Sequence, residues 1–319
     1  MEPLTAPTLA ELRDAQQRLE GLALRTPLVR LHVDAPQEIW LKLECLQPIG
    51  SFKIRGGGYA MLTAPRERLA RGVYTASAGN MAQGVAWVAR ALGVPCTVVV
   101  PDHAPQTKLA AIERLGARAV KVPFARWWQT LVEHEYPGLD GVFVHPVADQ
   151  RVITGNGTAG LEIMEELPDA DAILVPFGGG GLSTGIAAAV RALGSDAKVW
   201  GCEVETAAPL RASLAAGAAT TCDYVPSFVD GIGGRSVLAE MWPLASALLA
   251  GSLTVSLAEV AAAVRLLVER AHVVPEGAGA TPVACALRGI AGARKVVCVV
   301  SGGNIDSSVL ARILQGASQ

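Results

Sequence analysis

The 319-residue chain has no run of lysine and arginine, and only 18% of its residues are charged, for a formal net charge of −2. Without a basic field nothing recruits a polyanion, so no nucleic-acid partner is expected and a small molecule is. No apolar stretch approaches the roughly 20 residues a membrane-crossing helix needs, so no membrane partner is expected either. The opening segment, MEPLTAPTLAELRDA, lacks the basic start and apolar core of a secretory leader. The expected location is cytoplasmic. The six cysteines (Cys45, Cys96, Cys202, Cys222, Cys285, Cys298) are scattered, with no CxxC pair. Neither a disulfide framework nor a zinc site follows from that spacing. Cys96 and Cys298 lie in apolar runs, where a thiol behaves as a small core hydrophobe.

Apolar residues are abundant, at 51%. A chain of this length can bury a large core and divide into roughly two domains. Short β-branched runs at 40–43, 73–76, 96–100, 119–122, 141–144, 172–176, 198–203 and 295–300 alternate with Ala/Leu-rich amphipathic segments at 82–92, 106–115, 182–193 and 257–271. Continuous apolar strands separated by helices predict an α/β fold of parallel sheets covered by helices. Proline and glycine punctuate the chain near 46–50 and 145–152. Those seams predict a small domain over 48–147 inserted in a large domain built from 1–47 and 148–319. The crevice between two such lobes is where α/β proteins hold small ligands.

Four glycine-rich stations carry the chemistry. The first, Pro48-Ile49-Gly50-Ser51-Phe52-Lys53-Ile54-Arg55-Gly56-Gly57-Gly58, sets one of few lysines in an apolar turn that opens a helix. Desolvation there would lower its pKa and make it a carbonyl nucleophile, although a surface lysine lying along its stem fits equally well. The second, Ser77-Ala78-Gly79-Asn80-Met81-Ala82-Gln83-Gly84, follows the run at 73–76. It suits either a plain helix cap or a cradle of backbone donors for a carboxylate. The third, Pro176-Phe177-Gly178-Gly179-Gly180-Gly181-Leu182-Ser183-Thr184-Gly185, joins an apolar strand directly to a helix. Four glycines let successive N–H groups converge on one anion, and the helix dipole adds to them. It is a phosphate cup, distinct from both the P-loop and GxGxxG patterns. The fourth, Val299-Val300-Ser301-Gly302-Gly303-Asn304, ends the last strand, where a hydroxyl can face a ligand ring or merely terminate a turn.

Taken together the stations resemble the fold type II pyridoxal 5′-phosphate (PLP) enzymes, which share a two-lobed, tryptophan synthase β-like fold. Within them the likeness is to the threonine/serine ammonia-lyase and serine racemase branch. SFKIRGG, SAGN-x-AQG, GVFVHP with VITGNGT-x-GLEI, PFGGGGLSTG, VDGIGG and SGGN occur in family order along essentially the whole chain. The resemblance implies that Lys53 carries the cofactor as a Schiff base and removes the substrate Cα proton. It implies that Phe52 packs near the ring, Asn80 bonds the ring hydroxyl, and Gly178, Gly179, Gly180, Gly181 and Leu182 hold the phosphate. Gly231 of VDGIGG joins the cofactor contacts, and Ser301 faces the pyridine nitrogen. A neutral hydroxyl there leaves the ring a weaker electron sink, which favours β-elimination over transamination. Ser77, Gly79, Asn80, Met81 and Gln83 match the substrate-gripping segment. The implied reaction is loss of water from a β-hydroxy amino acid, the hydroxyl leaving with a proton from the cofactor phosphate, to give a 2-oxo acid and ammonia. A homodimer is implied as well.

The chain also departs from that pattern. Ala78 stands where racemases of the branch place their opposite-face serine, so weak or absent racemisation is expected. Met81 replaces the usual histidine, and Trp127 and Trp128 lie in a segment that is commonly polar. These three could line a pocket for a bulkier substrate such as phenylserine, with 3-hydroxyaspartate a further alternative. Glu203 matches one ligand of the branch's divalent-cation site, but Pro209 stands at the aspartate position, so no metal is expected. Gln319 follows the last expected helix closely, so no amino-acid-sensing domain, and no feedback inhibition of that type, is expected. Threonine synthase-like chemistry would need a basic phosphate subsite that no cluster supplies. A serine hydrolase is a remote alternative: Gly181-Leu182-Ser183-Thr184-Gly185 fits G-x-S-x-G, with Asp230 and His272 following in order.

Overall fold

The computed structural model describes residues 3–316; Gln319 lies outside them. Its strands in chain order are β1 (Leu28–Leu31), β2 (Glu38–Lys42), β3 (Val73–Ala76), β4 (Cys96–Pro101), β5 (Arg118–Val122), β6 (Val142–Phe143), β7 (Ala172–Pro176), β8 (Lys198–Val204), β9 (Gly251–Val255) and β10 (Lys295–Val299). They form a six-stranded sheet ordered β1-β2-β10-β7-β8-β9 and a four-stranded sheet ordered β5-β4-β3-β6. Every pairing is parallel except β1 with β2.

The strands that read as continuous apolar runs are the central ones. β3 and β7 are buried at every position, as sheets covered on both faces require. In register, Cys298 of β10 lies between Leu41 and Leu174. The edge strands β1 and β9 escaped the sequence reading, being short, partly exposed and poorly apolar. The expected strand over 141–144 shrinks to two residues, Val142–Phe143. The expected helix over 257–271 is α-helical from Leu257 to Leu266 and becomes a π turn over Leu267–Ala271, ending at His272 with φ +56°.

Each face of each sheet packs its own core. One face of the large sheet gathers Leu41, Leu174, Val296 and Cys298, and the other Ile173, Val175, Val297 and Val299. In the small sheet Val73, Val98 and Val100 face one way, whereas Tyr74, Ala76 and Val99 face the other. Each such side chain contributes about 1.5–3 kcal/mol relative to exposure. Parallel strands align their carboxyl ends within each sheet, and a 2.8 Å hydrogen bond from Asn304 Nδ2 to Asn80 Oδ1 brings the segment leaving β3 in the small sheet to the end of the large sheet where those leaving β7 and β10 lie. Three of the four glycine stations are those segments.

Candidate active site

Lys53 is the first residue of the helix Lys53–Leu62, and glycines let two other helices close on it. A Cβ on Gly84, in the helix Asn80–Leu92, would stand 3.1 Å from the Lys53 backbone. A Cβ on Gly155, in the helix Gln150–Glu166, would stand 2.5 Å from the Arg55 carbonyl. Asn156 ties this contact to the third station. Its Oδ1 accepts from Gly56 N at 3.1 Å and its Nδ2 donates to Gly181 O at 3.3 Å. The lysine and the glycine cup therefore share one polar brace, which the sequence reading missed inside VITGNGT.

Lys53 Nζ donates to the Pro146 carbonyl at 2.8 Å and lies 5.0 Å from the centroid of the Phe52 ring. Burial lowers its pKa to about 8, against an upward pull from Glu276. The amine is thus a free base far nearer neutrality than an exposed lysine. Ser301, 3% exposed at the end of β10, accepts the Phe52 N–H at its carbonyl, 3.0 Å away. The fourth station is thus in backbone contact with the residue that precedes the lysine.

The cup follows β7. Gly180, at φ +97°, caps the helix Gly181–Ala192, whose first internal bond runs from Thr184 N to Gly180 O at 2.9 Å. The N–H groups before Thr184 are left for a ligand, as at any helix start. A Cβ on Gly179 would stand 2.5 Å from Val147 Cγ2, and one on Gly180 3.1 Å from the Phe177 ring. This cradle, with a lysine of lowered pKa joined to it through Asn156 and the buried, unpartnered Ser51 Oγ two residues before that lysine, fits a phosphorylated aldehyde. The Gly180→Ala substitution would force a left-handed φ costing roughly 1–2 kcal/mol. It is expected to weaken pyridoxal phosphate binding about tenfold in an absorbance titration, since each 1.4 kcal/mol is a factor of ten.

The second station flanks the same crevice. Ser77, Ala78, Gly79 and Asn80 are half-buried before and at the helix start, and Gly79 N donates to Ser77 Oγ at 3.2 Å. Gln83 is half-buried one turn on. Asn80 Nδ2 donates to both oxygens of Glu276, at 2.9 and 3.1 Å. Glu276, absent from the sequence reading, is 6% exposed, and burial pushes its pKa up to about 7. Gly231 borders it, because a Cβ there would stand 3.1 Å from Glu276 Oε1.

Two expectations are corrected. Met81 is 2% exposed in the core of one face of the small sheet, with Ile49, Ile54 and Val85, whereas Trp127 packs on the opposite face with Tyr74 and Phe143. Trp128 is exposed. The three do not share a pocket. The hydrolase alternative fails on geometry, since Ser183 is fully buried and its Oγ donates to Gly180 O at 3.1 Å. Asp230 accepts instead from Lys108 Nζ at 2.7 Å.

Glu203 is held by protein donors. Its oxygens accept from Leu210 N at 2.8 Å, Arg211 N at 2.9 Å and Ser252 Oγ at 2.5 Å. The two N–H groups open the helix Pro209–Ala216, so its N-terminus occupies the side of the carboxylate where a cation would sit. These residues do not fit a divalent-cation site. Glu203→Ala is expected to lower the unfolding free energy by about 2 kcal/mol in urea titration, through lost capping and stranded donors. His134, His145 and Glu240 also bring ligand atoms within 4.8 Å of one another. However, His145 Nδ1 accepts from Val147 N at 3.0 Å and Ala148 N at 2.6 Å. The neutral ring then carries its proton on Nε2, leaving no lone pair for an ion. Burial, with His134 and Lys53 nearby, keeps His145 neutral down to a pKa of about 3. Its task is to order the turn that presents the Pro146 carbonyl to Lys53.

The model of the pyridoxal-phosphate dependent enzyme family matches residues 19–302. The L-threonine ammonia-lyase of Thermotoga maritima is 39% identical over 314 residues, covering 96% of this chain and 78% of that one. The crystal structure of serine racemase from Dictyostelium discoideum superposes with a TM-score of 0.87 at 32% identity, covering 95% and 100% of the two chains. That of the T.th. threonine deaminase gives 0.86 at 35% identity, covering 94% and 99%.

Proposed function

Because the chain belongs to the pyridoxal-phosphate dependent enzyme family, we propose that it is an ammonia-lyase that removes water from threonine or serine to give a 2-oxo acid and ammonia. The observation that carries this reading is the joining of the Lys53 helix to the glycine cup through Asn156 and to Ser301 through the Phe52 N–H. Pyridoxal phosphate, when bound, supplies a conjugated ring that withdraws electrons from the substrate's α-carbon.

The chain's own groups do the rest. The N–H groups from Gly178 to Leu182 would hold the phosphate at the helix N-terminus, where the dipole favours it. Phe52 would flank the ring, Ser301 would face its nitrogen and Asn80 its hydroxyl, and Gly231 would close that side. Ser77, Gly79, Asn80 and Gln83 supply donors to the substrate carboxylate. Lys53 Nζ takes the Cα proton, and burial, by lowering its pKa to about 8, brings the free amine within reach of near-neutral pH. Ala78 offers no proton on the opposite face, so the α-carbon is not reprotonated there and elimination wins over racemisation. Residues 48–147 act as a small domain closing on 1–47 plus 148–319. The enzyme works as a cytoplasmic homodimer.

The reading is tested with serine, threonine, 3-hydroxyaspartate and phenylserine in both configurations, followed as 2-oxo acid release. Turnover concentrated on threonine and serine supports it. Turnover of phenylserine with little of threonine, or enantiomer formation without ammonia, contradicts it.

A further inference from the structure

Glu276 is the buried titratable group in the crevice that the reaction above leaves unused. It immediately precedes the helix Gly277–Leu287 and packs against two glycines of the site. A Cβ on Gly302 would stand 2.5 Å from its Oε1. Its carboxylate is gripped by Asn80 Nδ2 on both oxygens, and Asn80 Oδ1 accepts from Asn304 Nδ2 at 2.8 Å. Asn304 Nδ2 also donates to Ile49 O at 2.9 Å. One chain of hydrogen bonds therefore spans the crevice, and it fixes which end of the Asn80 amide faces Glu276. No cation pairs directly with this carboxylate among the described residues, but the Glu276 N–H donates to Gly302 O at 2.9 Å and Gly302 bridges to Ser51, two residues before Lys53, so the carboxylate lies close enough to raise the Lys53 pKa against burial.

We propose that Glu276 is a positioning residue: held by Asn80 and Asn304, its carboxylate supplies the negative charge that stabilises the Lys53 ammonium when Nζ takes up the substrate's Cα proton. Only that last step rests on the lyase reading; the field at Lys53 belongs to the protein alone.

The charged and titratable groups around Glu276 are Lys53, Asp230 and Lys108, with the Cys45 thiol beside them. Burial raises the Glu276 pKa to about 7, and Asp230 adds to it, while the Asn80 hydrogen bonds and Lys108 oppose. Above that value Glu276 is charged, and Lys53 stays protonated up to about 8. Removing the carboxylate withdraws a stabiliser of the ammonium, so Lys53 gives up its proton at lower pH. A weaker base is then expected to abstract the Cα proton more slowly. Two readouts move in opposite senses. The amine becomes available earlier, and catalysis slows.

The test is trace acetylation of the apoenzyme with acetic anhydride across a pH series, with labelling at Lys53 read by mass spectrometry. The Lys53 midpoint is expected near 8 in the wild type. It should fall by about one unit in Glu276→Gln, the scale of a nearby opposite charge. In the loaded enzyme the acid limb of kcat/KM should fall with it, and the plateau should drop about tenfold. An unmoved Lys53 midpoint overturns the proposal whatever happens to activity. Should the glutamine variant not fold, Glu276→Asp, whose shorter stem draws the charge back, is expected to show part of the shift, and an unmoved midpoint there overturns it equally. Failure of the lyase reading would show separately, as a shifted midpoint in a protein that releases no 2-oxo acid.

Discussion

Lys53→Ala is expected to abolish both the near-visible absorbance of covalently held cofactor and the release of 2-oxo acid, the latter by at least about 10³-fold. The size follows from two losses at one atom. The variant lacks the amine that anchors the cofactor, and it lacks the base within reach of the substrate's α-carbon. The fold should survive, because the side chain makes a single hydrogen bond, to Pro146 O, and its neighbours are held by backbone contacts at Gly84 and Gly155. Far-ultraviolet dichroism and thermal melting of the apoprotein check this. Residual turnover within tenfold of the wild type would remove Lys53 from the mechanism.

Arg55→Met is expected to be the most damaging change to stability, at about 3–5 kcal/mol, the cost of breaking a buried ion pair from one side. Arg55 and Lys42 are enclosed with Glu44 and Glu162, two cations against two carboxylates. The guanidinium donates to Glu44 through Nε and Nη2, both at 2.8 Å. It reaches Glu162 through Nη1 at 2.6 Å and Nη2 at 2.8 Å. Lys42 Nζ donates to Glu162 at 2.6 Å. Methionine fills much of the space and leaves an uncompensated buried negative charge. Burial alone would raise the Glu44 pKa, but Arg55, with Lys42 and the Thr26 hydroxyl, more than offsets it and holds the carboxyl below its ordinary value. The stability it contributes is therefore complete above the usual carboxylate range and is lost as pH falls below it. Urea unfolding followed by tryptophan fluorescence measures the loss. Arg55→Lys should lie between, because it keeps the charge without the fork. A methionine variant within about 1 kcal/mol of the wild type would mean that the cluster contributes little net stability.

The sequence carried the catalytic skeleton because glycine is costly and needs a reason. The four-glycine cup and the strand-ending Ser301 each stood at the end of a parallel strand, where such topology gathers ligand-facing segments, and the glycines after Lys53 lie within its helix, where neighbouring helices approach closely. Glu276 stayed hidden. Between Pro275 and a run of Gly and Ala it looked like a loop residue, and only the packing of Gly231 and Gly302 against it reveals its burial. Asn156 and Arg55 were read as letters of a motif rather than as braces. Each bonds partners about a hundred residues away, a separation no local pattern encodes. The proposed pocket of Met81 and the tryptophans failed for a related reason. Met81 and Trp127 belong to helices on opposite faces of the small sheet, and proximity to a motif in sequence does not say which face a helix covers.

The most direct measurement is to incubate the pyridoxal phosphate-loaded enzyme with L-threonine and count 2-oxo acid and ammonia in the same sample. The account predicts equal amounts of the two, and neither from Lys53→Ala. Accumulation of the other enantiomer without ammonia, or equal release by Lys53→Ala, would contradict it.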